Sequence, residues 1–166
     1  MEIKAVKTNK VQVFVGLIML FLGFAIYAIC SPGRICFIPV WFSCIQVYDG
    51  NPNVFTTMTN YFPDFIHPLA FILITAGLIS SGSRINQFFI CLGWFFIEIV
   101  FEFGQYFKES YVLIIPSYFS KIPILENTKI FFKDGTFDRM DIFSFLGGTI
   151  TAFCVLLITS KRRKKE

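Results

Sequence analysis

The chain alternates long apolar runs with short polar stretches, and four of the runs are long enough for membrane-spanning helices. A helix needs about 20 consecutive apolar residues to cross the hydrocarbon core of a bilayer. The predicted spans cover residues 11–30, 62–81, 88–107 and 142–159. The first run is uncharged and no clean small-residue cleavage site follows it, so we interpret it as a retained helix and not as a signal peptide. Gly16 and Gly23 in this run indicate that another helix approaches it closely.

The two longest connections between the runs also contain apolar segments. Residues 35–47 and 111–125 are too short to span and are interrupted by prolines, so we expect them to lie at the membrane interface or to re-enter it. The pattern therefore predicts an all-α membrane protein with one domain over residues 1–166. We expect a bundle of four transmembrane helices with two outer loops that contain interfacial or re-entrant segments.

Composition and charge agree with a membrane protein. Of the 166 residues, 55% are hydrophobic and 16% are charged, whereas about 25% charged residues is usual in soluble domains. The net charge of +4 does not indicate nucleic-acid binding, because the basic residues flank the spans. Lys4, Lys7 and Lys10 precede the first span, and a basic tail, residues 160–166, follows the last. This distribution predicts a multi-pass protein with both termini in the cytoplasm and the lipid bilayer as its partner.

The cysteines give no sign of a metal site. The chain has five cysteines and one histidine, with no CxxC motif, so the spacing of a zinc site is absent and we predict no metal and no cofactor. Cys91 and Cys154 are predicted to be buried apolar residues. A disulfide between Cys36 and Cys44 on the outer side is left open.

The third predicted span carries an unusual polar stripe. Glu98, Glu102 and Gln105 fall within about 60° of one another around the helix. A carboxylate at the centre of a span costs about 2.5–3.5 kcal/mol on the insertion scale, whereas each large apolar residue returns about 0.3–0.6 kcal/mol. Groups this costly need partners, so the stripe should face other helices or a wet cavity.

Depth estimates place further polar residues near this stripe. Counted from Phe62 and Phe107 as outer edges, His67 and Glu102 both lie about 7.5 Å deep, and Glu98 lies about 13.5 Å deep. We therefore predict that His67 contacts Glu102 and that the two act as an acid–base pair. The remaining predicted binding residues complete the outward-facing set: Asp64, Glu98, Gln105, Asp138 and Asp141.

Other interpretations of the same residues stay open. Asp64 could be an N-cap, and Asp138-x-x-Asp141 has the form of a capping box. The histidine and carboxylates could only pack helices together, relay protons or hold a metal ion. The GxSxG, HExxH and P-loop motifs are absent, so whether the protein is an enzyme stays undecided.

Three short motifs resemble the VanZ-like family of small bacterial membrane proteins. They are PDFIHPLAF in the second span, EFGQ in the third and GTFDRMDIFSFLGG at the entry to the fourth. The matching positions are Asp64, His67, Glu102, Gln105, Asp138, Asp141 and Gly148. Phe145 departs from the pattern, since the family usually has Asn there, and the Arg often found before the first Asp is missing. The resemblance covers about residues 60–152 and implies a bacterial inner-membrane location and a cell-envelope role, in a family named after a glycopeptide-resistance accessory protein.

The leading hypothesis is a cell-envelope membrane protein whose outward-facing polar pocket binds or processes a lipid or a lipid-linked envelope component. One alternative is a membrane helper or assembly protein whose polar cluster only packs helices. Another is a proton-linked transporter, although the sequence shows none of the internal repeats that transporters often carry. The sequence indicates no particular protein partner.

Overall fold

The protein consists of helices throughout the part of the chain that the structure describes. The computed structural model describes residues 8–30, 54–79, 83–122 and 125–163. The helices are α1 (Lys10–Cys30), α2 (Val54–Ile79), α3 (Arg84–Tyr106), α4 (Lys108–Ile114), α5 (Thr128–Asp134) and α6 (Arg139–Arg163), with a short 3-10 helix, Ser117–Lys121, between α4 and α5. These described residues form no β-strand, which confirms the predicted all-α class.

The helix α2 is the centre of the packing. It contacts all three other long helices, α1, α3 and α6, and α3 also packs against α6. The buried core consists of Leu69, Ile72, Leu73 and Ala76 from α2, Cys91 from α3, and Ala152 and Leu156 from α6. Lipid tails are as apolar as these side chains, so in a bilayer the association would depend on close van der Waals contact and not on burial from water.

Glycines allow two of these helix contacts. A Cβ atom added to Gly16 of α1 would lie 2.7 Å from Cγ1 of Ile74 and 2.9 Å from the carbonyl oxygen of Ala70. A Cβ atom added to Gly148 of α6 would overlap the carbonyl oxygen of Phe65. The predicted close approach at Gly16 is therefore confirmed, and Gly148 serves the same purpose between α2 and α6.

Three helical stretches are long and apolar enough to cross a membrane, by length and composition. They are Tyr61–Ile79, Arg84–Tyr106 and Arg139–Ser160, and they correspond to three of the four predicted spans. Large apolar side chains cover their outer faces, as Phe96 and Phe143 show with 64% and 65% exposure, which is typical of a lipid-facing surface. The apolar stretch counted in α1, Lys10–Ile26, is shorter, so the four-span bundle stays a prediction.

Several helices extend beyond the predicted spans. The helix α2 begins at Val54, eight residues before the predicted span, so Asp64 lies inside the helix and is not its N-cap. Pro63 and Pro68 are likewise internal, and since proline has no N–H, the carbonyl oxygens of Thr59 and Asp64 lack their usual helical donors. The helix α6 continues to Arg163, so the predicted tail begins as helix.

The connection after α3 folds into short helices that cannot span a bilayer. Its helices α4 and α5 each have seven residues. In α4, Leu113 and Ile114 are 85% and 75% exposed, which favours the predicted interfacial location of residues 111–125. Residues 35–47, with Cys36 and Cys44, lie outside the described part of the chain.

The end of the bundle where α3 begins carries buried uncharged polar residues. The side-chain amide of Gln12 donates to the hydroxyl of Thr159 at 2.7 Å, and that of Gln87 donates to the hydroxyl of Ser160 at 2.6 Å. Buried polar contacts therefore occur at this end of the bundle as well. Cys154 is exposed, contrary to the prediction, because it lies on the outer face of α6.

Candidate functional site

A cavity of about 650 Å³ lies at the opposite end of the bundle, which we call the acidic end. Helices α1, α2, α3, α5 and α6 all contribute to its wall. Six of the seven predicted site residues line it: Asp64, His67, Glu98, Glu102, Gln105 and Asp141. The seventh, Asp138, is hydrogen-bonded to one of the lining residues, so the structure places all seven at this end of the bundle.

The histidine pairs with a different carboxylate from the one predicted. Nδ1 of His67 lies 2.7 Å from Oε1 of Glu98, one helical turn along α3 from Glu102. The depth estimate counted from Phe62 as the edge of the second helix, but α2 extends beyond that residue, so the register between the helices is shifted. The predicted contact between His67 and Glu102 was wrong. The side chain of His67 is 49% exposed, whereas that of Glu98 is 8% exposed.

Glu102 instead joins α3 to the start of α6. Its Oε1 accepts a hydrogen bond of 2.6 Å from the backbone N–H of Asp138. Asp138 is the residue before α6, and its Oδ1 accepts a 2.9 Å hydrogen bond from the N–H of Met140, as an N-cap does. In a capping box the fourth residue, here Asp141, would bond to the N-cap N–H. Here Glu102 of α3 accepts the hydrogen bond from the N-cap N–H instead, and the carboxyl group of Asp141 lines the cavity.

Asp141 meets a second carboxyl group across the cavity. The side chains of Asp64 on α2 and Asp141 on α6 lie within hydrogen-bonding reach of each other. An ionised carboxylate can only accept, so a hydrogen bond between these two groups requires a proton on one of them. Tyr61, one turn before Asp64, donates its hydroxyl proton to Oδ2 of Asp138 at 2.9 Å.

Aromatic side chains form one wall of the cavity. The ring of Phe71 lies edge-on to the imidazole of His67, with 4.5 Å between the ring centroids. It also stacks on the ring of Trp94, with 4.7 Å between the centroids. Nε1 of Trp94 donates to the hydroxyl of Thr75 at 3.0 Å, which fixes the orientation of the indole. These rings form the part of the cavity wall that extends from the His67–Glu98 pair toward the middle of the bundle.

The helix α5 covers the acidic end of the cavity. Thr128 and Phe131 line the cavity, and Phe132 is buried against Gly104 of α3. The ring of Phe101 stacks on Phe132 at 5.7 Å. A side chain at position 104 would collide with Phe132, so the glycine is required for α5 to pack here.

Two buried acidic residues each use only one carboxylate oxygen in the contacts described above. As whole residues, Glu98 and Glu102 are 6% and 3% exposed, and each uses Oε1 in the contacts above. Their second oxygens make no hydrogen bond to any residue in the described ranges. Within those ranges no group of three or more His, Cys, Asp or Glu side chains is placed to hold a metal ion.

The arrangement can therefore accept hydrogen bonds from a ligand and can move a proton between the paired imidazole and carboxylate. Sequence reasoning missed Tyr61, Phe71, Trp94 and Phe131. Trp94 and Glu98 are four residues apart, so the helical periodicity of α3 could have placed the indole on the polar face. Phe131 gave no such signal, because it reaches the cavity only through the packing of α5.

No family model matches this chain, and no curated protein or solved structure matches it either. The resemblance of its motifs to the VanZ-like family therefore stays a prediction. What the cavity does has to be inferred from its residues and their geometry.

Proposed function

We propose that this chain is an integral membrane protein of the bacterial cell envelope that binds a lipid or lipid-linked component in the cavity at the acidic end. The observation that carries this proposal is the combination of cavity size and lining. A volume of about 650 Å³ is within the range of about 300–1,000 Å³ that is usual for small-molecule sites. Apolar and aromatic residues supply most of the wall, and a few carboxyl groups converge at one end.

The distribution of basic residues supports the proposed topology. Arg84 and Lys10 lie at the end of the bundle opposite the cavity, and α6 ends there with the basic residues 161–163. Positive residues near spans favour the cytoplasmic side. We therefore propose four spans with both termini in the cytoplasm, so that the cavity opens in the outer half of the inner membrane.

The motif resemblance agrees with the position of the cavity. Five positions that match the VanZ-like pattern line it: Asp64, His67, Glu102, Gln105 and Asp141. Residues that only pack helices together are expected to contact one another directly and not to line a cavity of this size. This agreement favours a ligand-binding role over a role in helix packing alone.

A second candidate function is acid–base chemistry on the bound lipid. The His67–Glu98 pair favours it, because a buried carboxylate orients a half-exposed imidazole toward the cavity. In this version Glu98 replaces Glu102 as the partner of the histidine. His67→Gln should then leave lipid binding intact while the conversion of the bound lipid stops.

Native mass spectrometry of the protein purified in mild detergent tests the binding proposal. We expect the wild-type protein and Glu109→Gln to retain a lipid, because Glu109 is exposed on α4 and does not line the cavity. The double variant Glu98→Gln, Glu102→Gln should lose it while remaining helical by circular dichroism. The proposal is wrong if the wild type retains no lipid, or if the folded double variant retains the same one.

A further inference from the structure

The wall of the cavity between α1 and α3 is formed by apolar residues on both sides. Leu20 and Phe24 of α1 and Ile97 and Phe101 of α3 line it, and the last three are 42–44% exposed. Both helices pack against α2, but α1 and α3 are not among the helix pairs with extensive contacts in the described ranges. The cavity is open over part of its wall. In a bilayer, the outer side of this apolar wall would face the lipid tails.

The charged groups inside the cavity are almost all acidic. Its described lining contains four carboxyl groups, those of Asp64, Glu98, Glu102 and Asp141, and the single imidazole of His67, with no lysine or arginine. Uncompensated carboxylates are costly in a membrane, so a ligand that brings a positive charge would stabilise the site and an anionic ligand would destabilise it. The second oxygens of Glu98 and Glu102 are acceptors that make no hydrogen bond in the described ranges.

The aromatic residues favour the same class of ligand. Trp94, Phe71 and Phe101 line the cavity together with the carboxylates. The face of an aromatic ring attracts a cation, and sites for ammonium groups commonly combine rings with carboxylates. An alkyl chain attached to such a group would lie along the apolar residues of α1 and α3 that line the cavity.

We propose that the ligand is a bilayer lipid whose head group ends in an ammonium group, and that it enters sideways between α1 and α3. This inference rests on the proposed lipid-binding function and adds the charge of the head group and the route of entry. The positive charge of the ammonium group lies against the second oxygens of Glu98 and Glu102, to which a primary ammonium also donates, and the chain contacts Phe24 and Ile97.

Fluorescence of Trp94 provides the test. The chain has two tryptophans, so a Trp41→Phe background leaves Trp94 as the reporter inside the cavity. The protein in maltoside micelles is titrated with lipids that carry brominated chains and one of three head groups: trimethylammonium, phosphoethanolamine or phosphoglycerol. We expect both ammonium lipids to reach half-maximal quenching at about a tenfold lower mole fraction than the phosphoglycerol lipid, since one charge-assisted contact distinguishes them.

The outcomes separate this inference from the function on which it rests. Saturable quenching with no head-group preference, or with preference for phosphoglycerol, overturns the ammonium assignment and leaves lipid binding in place. Non-saturable quenching by all three lipids overturns both. The preference should disappear in Glu98→Gln, Glu102→Gln and persist in Glu109→Gln. The head-group order in the Trp41→Phe protein decides the question even if the double variant does not fold.

Discussion

Nδ1 of His67 on α2 lies 2.7 Å from Oε1 of Glu98 on α3, and this contact sets the register of the two helices at the acidic end. Glu98 is buried and has no other hydrogen-bond partner in the described ranges, so the histidine is its main compensation. Glu102, one turn away, is held by the backbone of Asp138 instead. Neighbouring carboxylates on one helix thus have different partners, and substitutions should distinguish them.

A double-mutant cycle should detect the histidine pairing. The destabilisations caused by His67→Ala and Glu98→Ala should be non-additive, with a coupling energy of about 1 kcal/mol, a value kept small because His67 is half-exposed. The cycle of His67→Ala with Glu102→Ala should give a coupling below about 0.5 kcal/mol. Thermal unfolding in detergent measures both. A larger coupling to Glu102 than to Glu98 would contradict the observed register.

Glu102 should respond differently to two substitutions. Glu102→Gln keeps an oxygen that can accept from the N–H of Asp138, so we expect a change in unfolding free energy of less than about 1 kcal/mol. Glu102→Ala leaves that N–H without its partner and should cost about 1–3 kcal/mol. Glu109→Ala on exposed α4 is the control and should be near neutral. Equal losses for the two Glu102 variants would show that the hydrogen bond to α6 contributes little.

The glycine contact between α2 and α6 gives a packing test. Gly148→Ala places a methyl group against the carbonyl oxygen of Phe65, and we expect a cost of about 1–3 kcal/mol from overpacking. Gly93→Ala is the matched control, since a Cβ atom there meets nothing within 4 Å. It should be neutral or stabilise the helix by up to about 1 kcal/mol. If Gly148→Ala is as well tolerated as Gly93→Ala, α2 and α6 are not in close contact.

Cysteine labelling should establish the topology. In a variant without its native cysteines, Glu109→Cys on α4 should react with a membrane-impermeant maleimide added to intact cells. Lys10→Cys at the start of α1 should react only after the cells are permeabilised. Both positions are exposed, so burial does not limit either reaction. Labelling of Lys10→Cys in intact cells, with none at Glu109→Cys, would reverse the proposed orientation.

The sequence predicted much of the architecture because long apolar runs and costly intramembrane carboxylates are strong signals. Glu98 and Glu102 had to face other helices, and they do. The partner of His67 was missed by one turn, because the depth was counted from Phe62 although α2 begins at Val54, and because the helix register depends on packing. Phe131 was not predictable either, since α5 reaches the cavity through its contact with Gly104 and not through any local pattern.

The role of Asp138 was likewise only partly predictable from the sequence. Its position before an apolar run correctly indicated an N-cap, which is a local property of the sequence. That its N–H would be bound by Glu102 from α3, and not by Asp141, depends on how α3 and α6 meet. Local chemistry was therefore predictable, and the contacts between helices were not.

The central claim is that the cavity at the acidic end holds a lipid. An experimental density map of the protein, solved by electron cryomicroscopy in nanodiscs made from native lipids with a fiducial binding protein, tests it most directly. We predict density for a head group within hydrogen-bonding distance of Glu98 and Glu102, with a chain extending between α1 and α3. A well-resolved cavity that contains only ordered water would contradict the account.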